Sequence, residues 1–202
     1  MRYGWLKIAV SALLAAACAT ALSPELRAED LVVRNCNWCH GGSKGYSPAP
    51  RLAGQRPLYI EKELFEFHRR ARDNPFSRQY MWGAAANLSP ETAHDLALYF
   101  SAQPAKAASD GDRGLAAMGE TIYQQGLPEQ NIVACVACHG PNAEGIGPIP
   151  RLGGLSFAYL QRRLKQWAEG YHAAAGPPMP SIASKLPPEI VAALASYLSF
   201  VK

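Results

Sequence analysis

The sequence contains no concentrated block of charge of either sign. Its 20 basic and 16 acidic residues are spread along 202 positions. Domains that bind nucleic acids typically carry a basic block, so we exclude nucleic acid as a partner. Alternating apolar and polar runs, which indicate half-buried strands, are also missing. The sequence therefore predicts an all-α fold.

A hydrophobic run long enough to span a bilayer is also missing at the N-terminus, where the uncharged residues 8–17 form only a short stretch. Arg2 and Lys7 precede this stretch, as is typical of a secretory signal peptide. We predict a signal peptide over residues 1–21, cleaved after Ala21, with cleavage after Ala28 as the alternative. Loss of its two cations lowers the formal net charge from +4 to +2. The mature protein is expected in the periplasm.

Cysteine is scarce and regularly placed. The sequence has five cysteines. Cys18 falls within the predicted signal, and the other four form two C-x-x-C pairs, Cys36 with Cys39 and Cys135 with Cys138. No cysteine then remains for a disulfide framework. Lipid attachment at Cys18 is an alternative that the sequence favours less, because lipoprotein signals usually have a larger aliphatic residue three positions earlier.

The second half of the chain repeats the first. Matched landmarks recur in the same order at offsets of 98 to 100 residues. They are residues 36–40 with 135–139, 50–52 with 150–152, Tyr59 with Tyr159, Met81 with Met179, and Tyr99 with Tyr197. Such regularity indicates duplication of one unit. We predict two domains, at residues 22–103 and 114–202, joined by a linker at residues 104–113 that lacks apolar periodicity.

Both predicted domains are helical. Apolar residues recur at helical spacing over residues 56–72 and 157–169. Helix start signals at residues 89–91 and 186–189 predict helices that reach residues 100 and 201, and residues 114–125 form a shorter helix. Each domain is small for a stable core, so we expect a large buried group to fill it.

Each C-x-x-C pair is followed at once by a histidine, His40 or His139. This arrangement is what covalent haem attachment requires, because the two thiols meet two vinyl groups and the adjacent imidazole coordinates iron. We predict two haem c groups, bound through Cys36, Cys39, Cys135 and Cys138. A zinc site and a redox dithiol are the alternatives, but neither explains two complete copies in a helical chain.

A second axial ligand is expected later in each unit. Met81 and Met179 lie 41 and 40 residues after their histidines, and their matched positions in the repeat identify them as the iron ligands. Met118 has no counterpart and is expected to be a packing residue. His68, His94 and His172 also lack counterparts, so we expect surface or core roles for them.

Further residues are expected to surround the two haems. A carbonyl about ten residues after each proximal histidine, from Pro50 or Pro150, is a candidate acceptor for the ring N–H. Arg51 and Arg151 follow, and either pair with haem propionates or lie exposed to solvent. The aromatic residues expected to pack around the haem edges are Trp38, Trp82, Trp167, Tyr59 and Tyr159.

The order of these motifs resembles that of the cytochrome c4 family of bacterial dihaem cytochromes. The resemblance covers essentially the mature chain. It rests on C-x-x-C-H, P-R-L-A-G-Q at residues 50–55 with P-R-L-G-G-L at residues 150–155, a tyrosine-led helix, a methionine and a terminal helix, in the same order in both halves. It implies two tandem class I cytochrome c domains with His/Met ligation. The sequence departs from the pattern at Leu155, which stands where the first half has Gln55, so a polar contact by this side chain is not expected at the second haem.

The leading functional hypothesis is an electron carrier that is not an enzyme and has no small-molecule substrate. The resemblance implies redox proteins as partners, a respiratory donor complex and a terminal oxidase, with loose membrane association. The alternatives are the haem subunit of a flavocytochrome or oxidase complex, and a dihaem enzyme such as a peroxidase or a thiosulfate-oxidising cytochrome. An enzyme needs one open or weakly ligated iron, and the symmetric methionines argue against that.

Overall fold

The computed structural model describes residues 29–41, 49–173 and 178–202. The predicted signal peptide and Cys18 lie outside these ranges. The described residues form helices and connecting loops, with one isolated bridge between Leu127 and Ile132 and no strand. The all-α prediction is therefore confirmed. Within the same ranges, no helix combines the length and the apolar character needed to cross a membrane.

The first half contains four α-helices in its described part. A π-helical turn, Val32–Cys36, leads into α1, Asn37–His40. Helix α2 spans Pro57–His68, a second π-helical turn spans Ser77–Met81, α3 spans Trp82–Ala85, and α4 spans Pro90–Ala102. Helix α4 begins where the sequence predicts, because Ser89 accepts a hydrogen bond from the Thr92 N–H and Pro90 occupies the first turn.

The second half repeats this order after one additional helix, α5, which spans Arg113–Gln125. Helix α6 spans Val136–His139, α7 Phe157–Ala168, α8 Met179–Ala183 and α9 Pro188–Phe200. Helices α2 and α7 start 100 residues apart, and α4 and α9 start 98 residues apart. The helices predicted from the repeat are thus present in both copies, with ends that differ from the prediction by a few residues.

Each half has its own small apolar core. In the first half, Val32 and Ile60 pack with Leu96, Ala97 and Phe100. The core of the second half is larger and joins helices α5, α7 and α9; its buried members are Ile122, Tyr123, Ala143, Leu155, Tyr159, Leu160, Leu194, Ala195 and Leu198. The predicted domain boundaries stay predictions.

The segment predicted as a linker lies against helix α9. The Ser109 N–H donates to the Ser199 carbonyl at 2.8 Å, and the Gly111 N–H donates to the Ser199 hydroxyl at 3.0 Å. The Asp112 carboxylate then accepts from the Gly114 N–H at 2.7 Å and caps α5. The contacts with α9 are made by the backbone of the segment, so they require no apolar periodicity in its sequence.

Candidate functional site

The two histidines of the C-x-x-C-H motifs end the short helices α1 and α6. His40 is half-buried and His139 is buried. On a helix, the cysteines and the histidine of such a motif share one face, whereas the residue just before the second cysteine points away from it. Trp38 occupies that outward position and is 82% exposed. The prediction that Trp38 packs around a haem edge is therefore wrong.

Both imidazole rings are oriented by a proline carbonyl, as predicted. Nδ1–H of His40 donates to the Pro50 carbonyl at 2.7 Å, and Nδ1–H of His139 donates to the Pro150 carbonyl at 2.9 Å. Burial lowers the pKa of both histidines below the ordinary value, although the carbonyl contacts oppose this shift. The rings are therefore neutral, and their Nε2 atoms have a lone pair for a metal ion.

A cavity of about 450 Å³ runs through both halves of the molecule. It is lined by His40 and Met81 of the first half and by His139 and Met179 of the second. Most of its wall is apolar, as is typical of cofactor sites. Met81 ends the second π-helical turn and Met179 begins α8, and both side chains are half-buried.

The cysteines lie beside the same cavity. Cys39, Cys135 and Cys138 line it. Cys36 is half-buried, three positions before Cys39. All four thiols are free. Among the described residues, no three His, Cys, Asp or Glu side chains converge to hold a metal ion directly, so the C-x-x-C pairs have none of the further ligands that a zinc site requires.

Helices α2 and α7 contribute a buried polar cluster where the two halves meet. Arg72 donates to the Glu63 carboxylate and, at 3.3 Å, to the Tyr159 hydroxyl. Arg163, at the position equivalent to Glu63, donates to Nδ1 of His172. His172, which was expected on the surface or in the core, is fully buried.

Several buried nitrogen atoms beside the cavity have no hydrogen-bond partner among the described residues. They are Nε of Arg72, Nε and Nη1 of Arg163, Nε1 of Trp167 and Nε2 of His172, and these four residues all line the cavity. Unpaired buried donors are costly, so the site fits a group that carries carboxylates. The haem propionates are such groups, and the residues present therefore fit a haem.

The two equivalent arginines of the repeat, Arg51 and Arg151, have different surroundings. Arg151 is buried; its Nε donates to the Gly153 carbonyl at 2.7 Å, and its Nη2 has no partner among the described residues. Arg51 is half-buried and donates to the Ala107 carbonyl at 3.3 Å. Solvent exposure is therefore wrong for Arg151.

Sequence reasoning missed Arg72, Arg163 and the role of His172. A signal was present, because Glu63 and Arg163 occupy equivalent positions on helices whose apolar stripes face inward. A charged residue at such a position in both copies indicates a polar contact between the helices or with a cofactor.

Known proteins similar to this chain include cytochromes. A family model described as cytochrome c matches residues 116–202. The chain is 34% identical over 170 residues to cytochrome c4 of Pseudomonas aeruginosa, covering 81% of this chain and 82% of that protein. The crystal structure of reduced recombinant cytochrome c4 from Pseudomonas stutzeri superposes with a TM-score of 0.76 at 30% identity, over 89% of this chain and 98% of the other.

Two further relatives are longer than this chain. The chain spans 62% of the length of cytochrome c-552 of Acidithiobacillus ferridurans, with 35% identity over 143 residues and coverage of 69% of this chain. It spans 63% of a thiosulfate dehydrogenase electron acceptor of Stutzerimonas stutzeri, with 38% identity over 141 residues and coverage of 67% of this chain.

Proposed function

The chain belongs to the cytochrome c4 family, and on that premise we propose that it carries electrons between redox proteins outside the cytoplasm. Its cofactors are two covalently bound haem c groups, one for each C-x-x-C-H motif. The observation that carries the proposal is the shared cavity, which both histidines and both methionines line.

We assign the haem contacts by repeat position. Cys36 and Cys39 attach the first haem, and His40 and Met81 are its axial ligands. The same roles in the second half belong to four residues at matched positions: Cys135, Cys138, His139 and Met179. Bound haem supplies an iron that accepts and releases one electron.

The side chains suit an electron carrier, because an iron held by both a histidine and a methionine would have no free coordination position for a substrate. The Nδ1–H contacts with Pro50 and Pro150 hold the imidazoles in one orientation, and this limits rearrangement when the charge on the metal changes. Methionine sulfur is a soft ligand that favours the reduced iron and raises the potential. We therefore assign no catalytic residue.

For the partners, we propose a respiratory donor complex and a terminal oxidase. The location is the periplasm, which the signal pattern before residue 21 supports, with loose attachment to the membrane. A thiosulfate-oxidising enzyme is a second candidate donor, because a relative 38% identical over 141 residues is a thiosulfate dehydrogenase electron acceptor.

The test is the haem content and spectrum of the purified protein. We expect two haems per chain by mass, low-spin signals from both in paramagnetic resonance of the oxidised protein, and a methionine-to-iron charge-transfer band near roughly 700 nm, the signature of His/Met ligation. A high-spin haem, or one that binds carbon monoxide when reduced, would contradict the carrier assignment and indicate an enzyme.

A further inference from the structure

The side-chain amide of Gln55 joins the first half of the molecule to the second. Its Oε1 accepts from the Arg151 N–H at 2.7 Å, and its Nε2 donates to the Arg151 carbonyl at 2.9 Å. The Arg56 N–H donates to the same Oε1 at 2.8 Å. Because a backbone N–H only donates and a carbonyl only accepts, these contacts fix the orientation of the amide. Gln55 is buried, with 3% of its surface exposed.

The peptide unit between Pro150 and Arg151 has hydrogen-bond partners in both halves. Its carbonyl accepts from Nδ1–H of His139 at 2.9 Å. Its N–H donates to Oε1 of Gln55. Hydrogen bonds at the two ends of one peptide polarise each other, and each strengthens the other. A single peptide unit thus connects Gln55 with His139.

We propose that Gln55, although it belongs to the first half, is a positioning residue for the proximal histidine of the second haem. Gln55 holds the Pro150 carbonyl in place and increases its strength as an acceptor. A stronger contact at Nδ1–H makes the imidazole more basic, and a more basic ligand stabilises the ferric iron. Gln55 therefore lowers the potential of the second haem. This inference rests on the proposed function, since it takes His139 as an iron ligand.

The first haem receives no matching contribution from the equivalent residue of the second half. That residue is Leu155, which packs in the core with Tyr159, Leu160 and Leu198. Its aliphatic side chain cannot accept a hydrogen bond. The two copies of the repeat therefore differ at this position. Gln55 links the second histidine to the opposite half through hydrogen bonds, and Leu155 makes no such link for the first.

The test is the substitution Gln55→Met in the holoprotein, which keeps the side-chain length and removes both polar atoms. The potential of each haem is measured by spectroelectrochemical titration, and the Nδ1–H signal of His139 is followed by NMR in protein labelled at histidine. We expect the second potential to rise, the first to stay within error, and the His139 signal to move upfield as the hydrogen bond weakens. The control is Gln125→Met, the same change at an exposed position of α5 that does not line the cavity; it should move neither the second potential nor the His139 signal.

Two results would overturn the inference: no change at the second haem in a folded Gln55→Met protein, or equal shifts at both haems, which would indicate general loosening. If Gln55→Met does not fold, Gln55→Asn retains the amide but shortens its reach, and the same displacement of the second potential is expected. The wild-type spectrum is recorded first, because a protein without two His/Met haems would contradict the proposed function rather than the role of Gln55.

Discussion

Glu63 and Arg72 form a buried ion pair at the contact between the two halves of the molecule. Glu63 lies on helix α2, and Arg72 follows that helix and also reaches Tyr159 on α7. Burial alone would raise the pKa of Glu63, but Arg72, His172 and Arg163 outweigh it and hold the pKa below its ordinary value. The carboxylate is therefore charged, and it compensates a guanidinium whose side chain is only 8% exposed.

We expect Glu63→Gln to lower the free energy of unfolding by about 3 to 5 kcal/mol, because it leaves the Arg72 charge buried without its partner. Urea unfolding of the holoprotein measures this. The matched control is Glu61→Gln on the same helix, where an exposed carboxylate lies 3.3 Å from His94. A surface pair of that kind contributes about 1 kcal/mol or less. Equal losses in the two variants would contradict the buried pair.

The same pair predicts a dependence of stability on pH. The pKa of Glu63 is lower in the folded protein than in the unfolded chain, where it is about 4.3. The stability that it contributes is therefore fully present above that pH and is lost as the pH falls through the folded pKa. We expect the acid limb of the stability curve to be shallower in Glu63→Gln than in the wild type. An unchanged acid limb would count against a charged Glu63.

Gly119 is required by the crossing of helices α5 and α9. A Cβ added at this position would lie 2.0 Å from the Ala193 carbonyl oxygen, which is backbone and cannot move aside. We expect Gly119→Ala to separate the two helices and to cost about 1 to 3 kcal/mol of stability. The control, Gly83→Ala on α3, meets no atom within 4 Å, and it should be neutral or stabilise the helix by up to about 1 kcal/mol. Thermal unfolding that ranks the two variants equally would contradict this packing.

Features set by spacing along the chain could be predicted from the sequence. The pairing of His40 with Pro50 is local, and the helices from Pro57 and Pro90 follow from periodicity and start signals. Contacts between the halves could not be predicted in this way. Gln55 binds Arg151, which lies 96 positions later in the chain. The residues around Gln55 in the sequence do not indicate which distant group its amide contacts.

The prediction that Trp38 packs around a haem edge was wrong for a different physical reason. Its aromatic character favoured burial, but its place within the C-x-x-C-H turn directs it away from the face that Cys36, Cys39 and His40 share. The geometry of the turn therefore outweighs the hydrophobicity of the side chain. The buried charges of Glu63 and Arg163 show the opposite effect, because polar partners and an expected cofactor compensate residues that usually lie on the surface.

Replacing the proposed methionine ligand of one haem at a time tests each assignment separately. Met179→Leu fills a similar volume but leaves the second iron with one protein ligand. We expect the reduced protein to bind one carbon monoxide per chain and the potential of the second haem to fall, because the thioether that favours reduced iron is lost. Met81→Leu should do the same at the first haem. Met118→Leu is the control, since Met118 lies 38% exposed on α5 and is not among the residues that line the cavity. If Met179→Leu binds no carbon monoxide and keeps the full intensity of the charge-transfer band that two His/Met haems give, another side chain is the ligand and the assignment from the repeat is wrong.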